Sequence, residues 1–209
     1  MAGWLEDSQT FEKWTALAEK SEGGEIPAAD LADASKALIS VFDLINGMGM
    51  PANDMKGNAN TLQKLADLSP GSTVESLVNK ECDGQDDKAC KKISLDGKTA
   101  TCALMWLFRA LAFVNKLLEI LLAEPSKKLS ECVTAGYEVS LKPHHGMIVR
   151  GTFSVAVKAA PSRADFIKKL GPDEAAVFSK IGAGLPNMRK LVERGQAFLT
   201  SKNATYFKP

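Results

Sequence analysis

The sequence predicts an all-α domain, and three observations carry that expectation. The longest apolar run, "CALMWLFRALAFVNKLLEILLAE" (102 to 124), is far longer than a strand and repeats at helical spacing. No two alternating runs are joined by an Asn-Gly type turn, the strongest short-range hairpin signal. The breakers gather in short segments, "NGMGMPAN", "SPGST", "AEPSKK", "LKPHHG", "AAPS" and "LGPDE", which punctuate periodic stretches.

In chain order, the first helix is expected at 30–46, stopped by the first of those segments, and the second at 54–68, stopped by "SPGST". A third follows at 73–82. The long run at 102–124 begins after "SLDGKTAT", where Asp96 or Thr99 offers a cap, and stops at Pro125. It approaches the length of a membrane span, but Arg109, Asn115, Lys116 and Glu119 interrupt it at a cost that hydrocarbon would not return. It therefore reads as the buried helix of a bundle. Further helices are expected at 130–141, 147–160, 162–170 and 173–202. The 147–160 stretch is rich in β-branched residues. Ile148, Val149, Thr152, Phe153, Ala156 and Val157 nevertheless share one helical stripe, which favours helix over strand. The sum is about eight helices.

Nothing in the 209 residues looks like a linker, so the expectation is a single domain over 1–209. With 26 basic and 25 acidic residues there is no global field to attract nucleic acid. The start, "MAGWLEDSQTFEKWTALAEK", lacks the basic and apolar regions of a signal peptide, which points to the cytoplasm. No extended exposed apolar stripe is evident, and a monomer is expected. Cysteines 82, 90, 102 and 132 show no C-x-x-C spacing, so no structural metal is expected. Cys82 and Cys90 flank the acidic loop "DGQDDKA" and could pair on oxidation, whereas in a reducing compartment free thiols are expected. There is no glycine-rich phosphate loop and no nucleophile in a recognisable context, so neither an enzyme nor a cofactor is indicated.

Three short stretches hold the candidate chemistry. In "NDMKGNANTLQKL" (53 to 65), Asp54 and Asn58 are four apart and share a helix face. Gly57 between them weakens the helix by about 1 kcal/mol relative to Ala, which suits a backbone that something must approach. In the long run, Cys102, Trp106, Arg109 and Phe113 form one stripe. A buried Arg109 needs a partner, for which Asp54 is one candidate. The third stretch, "KPHHGMIVRGTF", holds both histidines, His144 and His145. Neighbours on a helix point about 100° apart, so this pair is a poor chelate, and one ring is expected to face inward.

Together these stretches resemble the glycolipid transfer protein family: D-x-x-G-N, then W-L-x-R inside a long apolar helix, then H-G-x-I-V ahead of a helix ending A-A-P. The resemblance extends over "TAGYEVSLK" and "SRADFIKKL", from about residue 26 to 170. It implies a two-layer helical sandwich that encloses a lipid's chains in a tunnel and holds its head group at the surface. By position it implies Asp54 and Asn58 on sugar hydroxyls, Trp106 beneath the first sugar ring, and His145 on the ceramide amide oxygen. Arg109 and Lys64 accompany them. The tunnel would be lined by Phe42, Leu44, Leu107, Leu111, Phe113, Phe153, Val157 and Phe166. The ligand implied is a neutral glycosphingolipid, delivered through transient contact with a membrane surface. A branch of the family that takes ceramide phosphate resembles a version with lysine at position 58 and arginine at 106, and neither is present. Two positions depart from the sugar-binding pattern. Thr61 stands where a lysine is usual and Met147 where a tryptophan is, so docking is expected to shift to Met48 and Met50 of "GMGMP".

Overall fold

In the computed structural model, which describes residues 3–205, the expected helices are all present, with three more. In chain order they are α1 (Trp4–Ser8), α2 (Thr10–Lys20), α3 (Ala28–Ile39), α4 (Gly49–Leu68), α5 (Val74–Cys82), α6 (Asp87–Ile93), α7 (Ala100–Ala123), α8 (Leu129–Val139), α9 (Met147–Val157), α10 (Arg163–Leu170) and α11 (Glu174–Ser201). Short 3-10 turns cover Ser40–Leu44 and Lys142–His144. The ends of the expected domain, residues 1–2 and 206–209, lie outside the described residues.

The count of about eight is thus too low, because α1, α2 and α6 are too short or too polar to announce themselves. They are held by packing and capping instead. Leu5, Phe11, Trp14 and Leu17 are buried. In the supposed acidic loop, the Asp86 carboxylate accepts from the Ala89 N–H at 2.7 Å and so starts α6. The four cysteines are buried free thiols, and Cys90 Sγ donates to the Cys82 carbonyl at 3.6 Å. Burial pushes the Cys82 thiol up to about 11.

The long apolar run becomes α7, which packs against α4, α5, α8 and α11. Thr99 caps it by accepting from the Cys102 N–H at 3.1 Å. Glu81 adds a carboxylate at the same end, accepting from the N–H groups of Ala100 (2.8 Å) and Thr101 (2.9 Å). At the far end, Arg163 donates to the carbonyls of Leu121 and Lys127. No described helix is long and apolar enough to cross a membrane.

Phe113 of α7 is the hub of an aromatic cluster. Its ring stacks on Phe42 at 5.7 Å and meets Tyr137 and Phe153 edge-on at 6.4 and 5.8 Å. Tyr137 and Phe153 stack at 3.7 Å. Each such pair contributes about 0.5–1.5 kcal/mol beyond area burial. Close helix contact elsewhere requires glycine: a Cβ on Gly195 of α11 would overlap the Phe108 ring.

The stripe expected along 147–160 is only half covered. Phe153 and Val157 are buried, but Met147 and Ile148 are 87% and 86% exposed and Val149 is 47% exposed. Periodicity identified the apolar face correctly. It carries no information on whether another element covers it. The C-terminal half of α9 is pinned, because Gly47 (φ 84°) lies so close that a Cβ there would strike the Ala156 carbonyl.

Candidate functional site

Four of the expected head-group residues converge on one cavity of about 610 Å³. Asp54 and Asn58 come from the N-terminal half of α4, Trp106 from the second turn of α7, and His145 from the turn that leads into α9. The rest of the wall is largely apolar: Met50, Pro51, Met55, Cys102, Ala110, Leu141, Ile148, Val149 and Phe153, with Gly97 and Thr152. The site therefore joins a polar cluster to an apolar slot, the division an amphiphile needs.

His145 is the most constrained of the four. Its Nδ1 lies 3.0 Å from the Tyr137 hydroxyl, and its ring faces the Trp106 indole at 5.8 Å and 28°. When the tyrosine donates to Nδ1, Nε2 carries the ring proton and can donate to a carbonyl oxygen. Burial, then Arg109 and Arg150, holds the His145 imidazolium pKa below its usual range. His144 is pushed down to about 4 by burial, Arg109 and His145. Asp54 is open to solvent as a residue, yet its carboxyl is crowded enough at the cavity rim for burial to raise its pKa. Asn58 donates back to the Asp54 carbonyl at 3.0 Å, leaving its amide oxygen for a ligand donor.

The depressed histidines give a signed expectation. The folded protein resists protonation that the unfolded chain accepts from about pH 6.5 downward. The contribution is therefore present above pH 6.5 and is lost as pH falls toward about 4. Asp54, raised rather than lowered, works in the opposite sense. Urea unfolding at pH 7 and pH 5 should show wild type losing more stability than a His144→Gln/His145→Gln variant. Equal losses would refute the assignment.

Other expected residues lie elsewhere. Arg109 is buried with its guanidinium carbon 4.9 Å above the Trp106 ring. The indole face is thus one neighbour of its charge, and burial lowers its pKa to about 10. Thr61 bonds back to the Gly57 carbonyl at 3.0 Å, and neither Thr61 nor Lys64 lines the cavity. Gly57 faces open space. Among the tunnel candidates Phe153 lines the cavity, while Phe42, Leu107, Leu111, Phe113, Val157 and Phe166 are buried in the core and Leu44 is half-buried against it. Met48 is wholly buried, so it cannot serve in docking as expected, whereas Met50 is 68% exposed at the rim.

The family model described as "Glycolipid transfer protein (GLTP)" matches residues 26–172. The chain belongs to the glycolipid transfer protein family. Over 189 residues it is 31% identical to the glycolipid transfer protein of Aureobasidium melanogenum, covering 88% of this chain and 89% of that one. The crystal structure of a fungal glycolipid transfer protein superposes with a TM-score of 0.75 at 30% identity, covering 88% and 91% of the two chains. Human ceramide-1-phosphate transfer protein, solved with a ceramide-1-phosphate, gives 0.83 at 16% identity, covering 96% and 98%. At that identity the likeness speaks for the fold alone.

Within this glycolipid transfer protein fold, sequence reasoning missed Tyr137, which both orients His145 and belongs to the aromatic cluster. Its position eight residues before the histidine, across a helix end, gives no local signal. It also missed Ile148 and Val149 as rim residues, having placed them only on the stripe of a helix.

Proposed function

We propose that this protein binds a glycosphingolipid and carries it between membranes without vesicles, making and breaking no covalent bond. The observation that supports this most is the convergence of Asp54, Asn58, Trp106 and His145 on one otherwise apolar cavity. A sugar has an apolar C–H face and a hydroxyl rim. An indole, a carboxylate and an amide read both, and His145 Nε2 is available to the ceramide amide oxygen. The chains would pass Phe153 into the interior bounded by Phe42, Leu44, Leu107, Leu111, Phe113, Val157 and Phe166. Each buried methylene contributes about 0.8 kcal/mol, so the chains supply affinity and the head-group residues supply selection.

Membrane contact falls to the apolar rim. Met50, Met147, Ile148 and Val149 are exposed around the cavity mouth, and such a patch at a binding-site entrance suits a lipid surface. The protein would act as a monomer at cytoplasmic membrane faces. Ceramide phosphate is the poorer ligand, because Asn58 and Trp106 put no cation on the cavity wall.

One vesicle experiment tests these roles. Two fluorescent ceramides, one glycosylated and one phosphorylated, are offered to wild type, to Asp54→Val and to Met147→Asp/Ile148→Asp. Wild type should prefer the glycosylated lipid, Asp54→Val should lose its transfer while still associating with vesicles, and the double variant should lose association. Preference for the phosphorylated lipid would reject the sugar assignment.

A further inference from the structure

Gly97, in the loop at residues 94–99 between α6 and α7, belongs to the cavity wall. The loop is closely braced. Backbone N–H groups of Leu95, Asp96 and Thr99 donate to the carbonyls of Lys92 (3.1 Å), Ile93 (3.0 Å) and Asp96 (3.0 Å). The Lys98 N–H donates to Asp96 Oδ1 at 3.0 Å, and the Thr99 hydroxyl donates to the Ile93 carbonyl at 2.9 Å. A wall held this way keeps its shape before a ligand arrives, which selection by shape requires.

Two properties of the loop bear on the head group. The first is space: a Cβ on Gly97 would meet no atom within 4 Å, and its φ is not positive, so a side chain fits there without backbone strain. The second is charge. Asp96 is exposed, and the single N–H it receives uses one of several acceptor sites on its carboxylate. After burial, Asp96 is the largest influence holding up the thiol of Cys102, a wall residue that also feels Asp54 and the opposing Arg109. Asp96 is the chain neighbour of the wall residue Gly97, and Asp54 stands in the wall itself.

We propose that Asp96 and Gly97 form the outer wall of the head-group site and decide which neutral sugar heads enter. Gly97 leaves room for a second hexose, Asp96 accepts from that ring's hydroxyls, and Asp54 with Asp96 turns away sulfated or phosphorylated heads. This rests on the glycolipid reading above.

The test is transfer between neutral vesicles of ceramides of one chain length carrying one hexose, two hexoses or a hexose sulfate. Wild type should carry both neutral lipids. Gly97→Phe should cut two-hexose transfer at least about tenfold more than it cuts one-hexose transfer. Asp96→Asn should raise hexose sulfate transfer relative to neutral lipid about fivefold. Gly97→Ala, which adds only a Cβ, should move the two-hexose to one-hexose ratio far less than Gly97→Phe; an equal general loss of both lipids in the two variants would mark the glycine as structural and overturn the wall. Unchanged ratios in Gly97→Phe and Asp96→Asn would also overturn it, while one-hexose transfer by wild type would keep the glycolipid reading. Failure of wild type to carry either neutral lipid would overturn that reading itself.

Discussion

Replacing Trp106 with alanine is expected to lower glycolipid transfer by more than about tenfold, the size of effect produced when an aromatic anchor is removed from a binding pocket. The indole lies between two other charged or titratable groups of the site. It faces the His145 ring at 5.8 Å, and Arg109 sits over it at 4.9 Å. Truncation would remove the proposed platform for a sugar ring, free the imidazole on one side and uncover a buried guanidinium. Because Trp106 is only half-buried and packs at the edge of the core, the variant should fold with an unchanged helical spectrum. Trp106→Phe, which keeps an aromatic face, should recover part of the transfer. Full activity in the alanine variant would show that the indole is packing rather than platform.

The largest effect on stability is expected from Phe113→Ala. Its ring is wholly buried and contacts Phe42, Tyr137 and Phe153, which join α7 to the turn after α3 and to α8 and α9. Removal of a buried phenylalanine costs about 3–5 kcal/mol. At roughly 2–4 °C per kcal/mol for a chain of this size, the melting temperature should fall by about 6–20 °C. Phe113→Leu, which keeps most of the volume, should fall by far less. A shift of under about 2 °C in the alanine variant would mean that the neighbouring rings collapse into the space, against the close packing seen here.

How much of this could be read from the chain depends on what kind of information a residue carries. The run from Cys102 to Glu124 is long, periodic, capped and terminated, so α7 was legible in full. Asp54, Asn58, Trp106 and His145 were legible as a set through their order and spacing. The four meet in one cavity although three separate elements bring them together. Helix α6 was not legible, because it consists of seven residues whose start depends on one capping carboxylate. Met48, expected at a docking surface, is buried, because an apolar side chain states a preference and only the neighbouring elements decide whether it is met. Tyr137 was missed because its partner lies across a helix end, where spacing rules lapse.

The uneven seating of α9 makes that helix a lever. Its fulcrum is where Gly47 meets the Ala156 carbonyl, and its free arm carries Ile148, Val149 and Thr152 along one wall of the slot. Swinging the arm outward uncovers almost no new apolar surface, since Met147 and Ile148 already face outward. The hydrophobic effect therefore puts little resistance on small movements of the first turn of α9, and what holds it is directional: the Arg150 side chain donating to the Lys142 carbonyl at 3.1 Å, one turn ahead of the buried Phe153 ring.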